Sequence, residues 1–214
     1  MSTVLYDYWR STASYRVRIA LNIAAIRYET RPVDLLTGEH IGAAHLARNP
    51  QGFVPVLDID GLRLTQSLAI VEYLDETRKL GLLPDDPTGR ARVRALAAVL
   101  AADTHPVCNP SVVGFAVNRP ETADPDAARI AWMRHFIARG LSAFEQLLDD
   151  PATGMFCHGD APTLADLCLV PQLYNARRWG VDLQAFGRVL EVVTTAEAVP
   201  AFRNAAPDAV QSTL

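Results

Sequence analysis

The pattern of hydrophobic and polar positions changes about 80 residues into the chain. Before that point, short apolar runs that are typical of strands alternate with segments of helical periodicity. Asp60-Gly61, between two such runs, is typical of a hairpin turn. The predicted order is β-α-β-(α)-β-β-α, with strands at residues 3–8, 28–33, 53–59 and 62–65, main helices at 15–25 and 68–79, and a short helix within 34–49.

After residue 88 almost no strand pattern is present, and apolar residues recur at steps of three and four. His105-Pro106 is expected to interrupt the first helix, and Asp166 to cap a later one together with Thr163. The predicted helices cover residues 90–103, 127–148, 167–177 and 188–196. We therefore predict an α/β domain with a mixed four-stranded sheet at 1–80, a linker rich in Pro and Asp at 81–87, and an all-α domain at 88–214.

Composition argues against several classes of function. A formal net charge of −4 provides no basic field that would attract nucleic acid, and no apolar run is long enough to span a membrane. The N-terminal segment is expected to be a strand and not a secretion signal. Cys108, Cys157 and Cys168 lack CxxC spacing, which indicates a reducing, cytoplasmic compartment, no metal site, and thiols that serve as small buried groups.

The turn between the first predicted strand and the first helix carries candidate chemistry. Ser11, Thr12 and Ser14 are hydroxyl residues at a helix N-terminus. Unpaired N–H groups and the helix dipole stabilise an anion there, including a thiolate. Arg10 and Arg16 add positive charge. An ordinary capped helix would use the same hydroxyls, so the residues alone leave both interpretations open.

Two further elements could bind a peptide-like ligand. Gln66-Ser67 directly precedes the helix predicted at 68–79, where the Ser67 hydroxyl and N–H could donate to a carboxylate or simply cap the helix. Pro55 lies at a strand start, and a cis Val54–Pro55 bond would expose the Val54 backbone to a ligand. Position alone leaves the isomer of this bond open.

Five motifs stand in sequence order at Leu5–Leu21, Asn49–Pro55, Gln66–Leu74, Asp103–Pro106 with Asn109, and Gly159–Gln172. Together they resemble those of zeta-class glutathione transferases, in the branch that contains maleylacetoacetate and maleylpyruvate isomerases. The resemblance covers nearly the whole chain. It implies the glutathione transferase fold, with a thioredoxin-like α/β domain that binds glutathione, an all-α domain that forms the substrate pocket, and a homodimer.

The resemblance implies glutathione as cofactor and cis–trans isomerisation of maleylacetoacetate to fumarylacetoacetate in tyrosine and phenylalanine catabolism. Alternatives are isomerisation of maleylpyruvate, or displacement of halide from an α-haloacid. Ser11 would stabilise the thiolate, with Ser14 as a second candidate, and Arg177 would bind a dicarboxylate substrate. Arg10, next to the thiolate site in sequence, is a candidate both for catalysis and for substrate binding. The glutathione-binding residues implied are Thr12, Gln51, Val54, Pro55, Gln66, Ser67, His105 and Asn109.

The chain departs from the family pattern at two places. Ala13 stands where the family signature usually has Cys, so any role of that thiol is absent. The segment 105–111 lacks the arginine that maleylpyruvate isomerases carry there, which is closer to the maleylacetoacetate enzymes. Arg177 remains open between a substrate ligand and a solvated cation at a helix end. His105 and Asn109 would share a helix face if the helix continued past Pro106.

Overall fold

Four strands form one mixed sheet in the computed structural model, which describes residues 2–211. Met1 and residues 212–214, at the ends of the two predicted domains, lie outside the described residues. The strands are β1 (Val4–Asp7), β2 (Glu29–Pro32), β3 (Val56–Ile59) and β4 (Leu62–Thr65). Their order is β2-β1-β3-β4, with β1 parallel to β2 and antiparallel to β3, and β3 antiparallel to β4. The predicted α/β class with a mixed sheet is therefore confirmed.

Two long helices pack together beside this sheet, and one of them is buried along most of its length. They are α1 (Thr12–Ile23) and α3 (Ser67–Arg78), with a 3-10 turn (Glu39–Ile41) and the short α2 (Ala43–Leu46) between β2 and β3. Residues 12–21 of α1 are all buried, including its polar ones. The β3–β4 hairpin turns at Asp60 (φ 53°) and Gly61 (φ 81°), as the sequence predicted.

The rest of the chain is helical. The segments are α4 (Pro87–Ala98), a π-helical stretch (Val99–Thr104), α5 (His105–Val107), α6 (Pro110–Val117), α7 (Pro125–Leu147), α8 (Leu164–Trp179), α9 (Gly187–Ala198), α10 (Pro200–Arg203) and α11 (Pro207–Gln211). Asp166 caps α8 as predicted, because its carboxylate accepts hydrogen bonds from the N–H groups of Thr163 and Cys157. Within residues 2–211, no helix combines the length and the apolar character needed to cross a membrane.

The expectation that His105-Pro106 interrupts a helix is wrong. Helical structure runs from Pro87 to Val107, and the π-helical stretch lies directly before His105. Proline has no N–H to donate, and a change of hydrogen-bond register before it lets the helix accommodate that loss for one more turn. The helix ends before Asn109, which instead is the N-cap of α6, a helix that the sequence pattern did not predict.

The chain divides into two compact units, and the C-terminal segment belongs to the first of them. The first unit combines residues 1–82 with 198–214, and the second spans 83–197. Side chains of α1 explain the grouping, because Tyr15 Oη donates to the carbonyl of Phe202 at 3.2 Å and Asn22 Nδ2 donates to that of Ala201 at 3.0 Å. The contact-defined units thus differ from the predicted domains at the C-terminal end.

A buried ion pair joins three parts of the first unit. Arg18 Nη1 lies 2.6 Å from Asp7 Oδ2, with the two side chains only 1% and 3% exposed. The same guanidinium donates through Nη2 to the carbonyl of Trp9 and through Nε to that of Ala205, both at 2.9 Å. Arg18 therefore links α1 to the end of β1, to the turn that follows β1, and to the C-terminal segment.

We expect Arg18→Met to lower the free energy of unfolding by about 3–5 kcal/mol, because it leaves the Asp7 carboxylate buried without its counter-charge. Urea unfolding followed by circular dichroism measures this. Arg31→Met is the matched control, since Arg31 pairs with Glu29 in the same sheet but both side chains are about half exposed, at 52% and 53%. Its effect should be clearly smaller. Equal losses in the two variants would contradict the structural role of Arg18.

Candidate active site

Ser11 forms the N-cap of α1 and keeps a donor for a ligand. Its backbone is extended (φ −65°, ψ 121°), and its Oγ accepts a hydrogen bond from the N–H of Ser14 at 3.2 Å. A hydroxyl has one hydrogen and two lone pairs, so the Ser11 hydrogen can still be donated outward. Ser11 is half-buried, which leaves this group accessible. The cap and the anion-donor interpretations are therefore compatible in one residue.

The next hydroxyl residues of the turn are less accessible. Thr12 is 6% exposed and Ser14 is not exposed at all. The Ser14 hydroxyl oxygen has no hydrogen-bond partner in the part of the chain that the structure describes. Ala13, at the position of the family's usual Cys, is 9% exposed. Of the three predicted hydroxyls, Ser11 is the one most open to a group that arrives from solvent.

Arg10 is held beside this turn by two aromatic residues. Its Nη2 donates to the Tyr8 hydroxyl at 2.9 Å, and its Cζ lies 4.6 Å from the centre of the Trp9 ring. A guanidinium over an aromatic face gains a cation–π attraction and loses conformational freedom. The buried Arg10 Nε has no hydrogen-bond partner among residues 2–211. Arg10 is thus pre-oriented, with a donor that the described side chains do not use.

A cavity of about 450 Å³ lies next to Arg10, between the end of β1 and the segment that follows β2. Asp34 and Glu39 also line it, but both carboxylates are engaged with the loop itself. Asp34 Oδ1 accepts from the N–H of Leu36, and Glu39 Oε2 accepts from the N–H of Asp34, each at 2.8 Å. The cavity therefore has one fixed guanidinium at its wall, a group whose fork of donors matches a carboxylate.

The loop before β3 is pinned by two side chains whose role the sequence analysis missed. Asn49 Nδ2 and His45 Nε2 both reach the carbonyl of Phe53, at 2.9 and 3.0 Å. A carbonyl only accepts, so His45 Nε2 carries the proton. The Val54–Pro55 bond that follows is cis. His45 is 2% exposed, and because histidines are of intermediate burial in general, no sequence signal indicates this burial in advance.

Gln51 and Gln66, from different loops, meet directly. Gln66 Nε2 donates to Gln51 Oε1 at 2.6 Å, which leaves a Gln66 acceptor and a Gln51 donor for other groups. Gln66 also has a positive φ of 67°, a conformation that costs a non-glycine residue about 1–3 kcal/mol and that clusters at functional sites.

Ser67 follows Gln66 as the first residue of α3 and is contacted by Arg16. Arg16 Nη1 donates to Ser67 Oγ at 3.1 Å, and both residues are buried. Sequence reasoning had counted Arg16 only as nearby positive charge. Its contact with Ser67 joins residues 51 positions apart, so no periodic pattern in the sequence indicates it.

Three predicted site residues belong to the second unit. His105 is the first residue of α5, while Asn109 caps α6 by accepting from the N–H of Ser111 at 3.0 Å. They therefore do not share one helix face. Arg177 lies in the last turn of α8, 45% exposed, with Nη1 2.6 Å from Glu197 Oε1. This ion pair is the surface alternative that the sequence left open, and a substrate carboxylate would have to displace Glu197.

The three cysteines are buried and unsuited to nucleophilic attack. Burial raises the pKa of the Cys108 thiol to about 11. Burial, followed by the negative charge of Asp166, raises the pKa of Cys157 well above its usual value. A thiolate at the Ser11 turn must therefore come from a ligand.

Comparisons with known proteins find similarity over nearly the whole chain. Family models of the glutathione S-transferase N-terminal and C-terminal domains match residues 1–76 and 127–206. A maleylacetoacetate isomerase of Rhizobium meliloti (strain 1021) is 60% identical over 207 residues, with 96% of each chain covered.

Two solved structures are also similar over nearly their full length. One is the holo structure of maleylpyruvate isomerase, a bacterial glutathione S-transferase in the zeta class, with a TM-score of 0.92, 44% identity, and 96% of this chain and 97% of that chain covered. The other is a maleylacetoacetate isomerase from Methylobacterium extorquens AM1 with bound malonate and glutathione, with a TM-score of 0.91, 42% identity and the same coverage.

We expect the thiols of the folded protein to react far more slowly with an aromatic disulfide reagent than free glutathione does. At pH 8, a pKa of about 11 leaves about one Cys108 in a thousand ionised, and burial blocks access as well. Absorbance of the released thiol measures the rate, and denaturant should expose all three cysteines. Labelling of the native protein at the rate of free glutathione would contradict this expectation.

Proposed function

We propose that this chain, which belongs to the glutathione S-transferase family, is a glutathione-dependent isomerase that converts maleylacetoacetate to fumarylacetoacetate. The observation that carries the proposal is the half-buried Ser11 at the N-terminus of α1, directly preceded in the chain by Arg10, which lines a cavity. The first feature suits a thiolate and the second suits an acidic substrate. The similarity to two kinds of maleyl-acid isomerase supports the same conclusion.

The residues of the first unit fit glutathione chemically. Glutathione has a thiol, two carboxylates, an ammonium group and two amides. The pairing of Gln66 with Gln51 leaves the Gln66 oxygen as an acceptor for the ammonium group. Ser67 and the first N–H groups of α3 are donors for the adjacent carboxylate. A donor beside an acceptor suits the amino-acid end of this ligand.

Other predicted residues complete the proposed binding site. The Gln51 amide can donate to a second carboxylate, and the backbone of Val54 before Pro55 can pair with the ligand's amides. Thr12 stands beside Ser11 at the N-terminus of α1. His105 and Asn109 stay predictions from the family resemblance, as contacts to glutathione from the second unit.

Each side chain of the site has a distinct task in the proposed reaction. Glutathione, when bound, supplies a thiolate that adds reversibly to the conjugated double bond and so permits rotation about it. Ser11 donates a hydrogen bond to the sulfur and, with the N-terminus of α1, keeps it ionised. Arg10 binds a substrate carboxylate and stabilises the negative charge that develops on the substrate oxygen. Arg177 stays a prediction from the family resemblance, as a ligand of a substrate carboxylate.

Maleylpyruvate is the second candidate substrate. The likeness to the maleylpyruvate isomerase structure favours it. The absence of an arginine in segment 105–111 favours maleylacetoacetate. The two compounds share the cis double bond conjugated to a carbonyl group, so the same residues could serve either one.

The setting of the enzyme is part of the proposal. A role in aromatic amino-acid catabolism follows from the substrate. A cytoplasmic location is supported by three buried cysteines that form no disulfide. A homodimer is proposed from the family resemblance.

We expect the purified protein to isomerise maleylacetoacetate only when glutathione is present, because the protein has no reactive thiol of its own. Substrate absorbance with and without glutathione, against a glutathione-only control, measures this. Maleylpyruvate is assayed in parallel, and chloride release from dichloroacetate tests the displacement chemistry. Chloride release without turnover of either maleyl acid would replace the isomerase with a dehalogenating transferase.

Ser11→Ala should raise the pKa of bound glutathione by about 1–2 units, since a hydrogen bond to a charged group contributes about 1.5–3 kcal/mol. Ultraviolet absorbance of the thiolate during a pH titration of the complex measures the shift. Ser14→Ala and Thr12→Val are the comparison variants, and the buried Ser14 should matter less. A larger shift in Ser14→Ala than in Ser11→Ala would assign the sulfur contact to Ser14.

A further inference from the structure

Two arginines are buried in α1, and their hydrogen-bond partners differ. Arg18 is fully explained by the fold, because its donors reach Asp7 and the carbonyls of Trp9 and Ala205. Arg16, two residues earlier and 2% exposed, instead reaches the Ser67 hydroxyl of the candidate site. Burying a guanidinium is costly unless it is hydrogen-bonded, and the Ser67 hydroxyl of α3 is one group to which Arg16 donates. The contact with Ser67 suggests a role in binding.

The direction of this hydrogen bond is fixed by chemistry. A guanidinium has donors only and stays protonated at any physiological pH. In the 3.1 Å contact, Ser67 Oγ must therefore be the acceptor. Its own hydrogen is then directed away from Arg16 and can be donated to another group.

The groups around Ser67 indicate which kind of ligand group accepts the hydrogen of its hydroxyl. Ser67 is the first residue of α3, so its backbone N–H and those that follow are helix-terminal donors. The Ser67 hydroxyl, these N–H groups and the fixed charge of Arg16 all favour an anion at one point. The adjacent Gln66, held at φ 67°, offers the acceptor for an ammonium group. Together they suit an α-amino carboxylate.

We infer that Arg16 is a positioning residue for glutathione, which orients the Ser67 hydroxyl toward the ligand's γ-glutamyl carboxylate and adds its charge behind that hydroxyl. The inference rests on the proposed glutathione function and assigns part of its specificity to a side chain in the protein interior. Arg16 acts through Ser67 at the carboxylate end of the ligand, while Ser11 acts at the sulfur end.

The test compares two ligands in binding measurements by isothermal titration calorimetry. One is glutathione, and the other is 4-aminobutyryl-cysteinylglycine, which lacks only the α-carboxylate. The wild-type protein should prefer glutathione by about 10- to 100-fold, as expected for charge-assisted hydrogen bonds. Arg16→Met should lower this preference at least about threefold, and Arg16→Lys, which keeps the charge, should recover part of it. A preference that changes less than this in Arg16→Met overturns the inference.

A double-mutant cycle separates positioning from general stabilisation. If Arg16 acts through the Ser67 hydroxyl, then Arg16→Met costs less affinity in a Ser67→Ala background than in the wild type. Full additivity overturns the route through Ser67. Ser11→Ala is the matched control, because it should shift the pKa of the bound thiol and leave the ligand preference unchanged, whereas Arg16→Met should do the reverse.

The outcomes distinguish this inference from the proposed function. Wild-type protein that does not bind glutathione refutes the function itself. Binding with an unaltered ligand preference in Arg16→Met refutes only the role of Arg16. Circular dichroism checks that each variant is folded, and if Arg16→Met is not, Arg16→Gln, which keeps an N–H donor without the charge, is judged by the same threefold criterion.

Discussion

The buried guanidinium of Arg18 is the interaction on which the first unit depends. Its donors reach Asp7 at the end of β1, the carbonyl of Trp9 in the following turn and the carbonyl of Ala205 near the C-terminus. One side chain in the middle of α1 thereby sets the position of that helix against the strand that precedes it. The turn that contains Ser11 lies between these two elements, so its geometry is determined by a contact that itself takes no part in chemistry.

Helix α1 combines two requirements that usually conflict. It is buried from Thr12 to Leu21, and yet it contains hydroxyl and guanidinium groups whose burial is costly unless they are hydrogen-bonded. Arg18 satisfies this by bonding to Asp7 and to backbone carbonyls. Arg16 donates to the Ser67 hydroxyl, and Ser11 accepts from the N–H of Ser14. A helix that is rigid because it is buried holds its N-terminal donors in place, which is what stabilisation of a thiolate requires. The thiol itself is left to glutathione, because all three cysteines of the protein are buried.

Local sequence patterns predicted most of the helices and strands. They failed where the structure around a segment overrode the rule for that segment. The hairpin at Asp60-Gly61 follows from short-range turn chemistry, and the structure contains it. Pro106 was expected to break a helix, but the π-helical stretch before it absorbs the missing hydrogen bond. Helix α6 was missed because it is short and strongly apolar, with little periodic contrast. Arg177 was left open, and its ion pair with Glu197 depends on a helix 20 residues away.

The sequence by itself determined the fold class, the family resemblance and the turn at Ser11, because each depends on residues that are close together along the chain. The tertiary structure decided what depends on distant residues. It made Ser11 accessible and Ser14 buried, paired Gln51 with Gln66, and brought Arg16 to Ser67. It also assigned the C-terminal segment to the first unit through α1. Side-chain burial and hydrogen-bond partners depend on how whole helices and strands pack together. That packing does not produce a periodic pattern in the sequence.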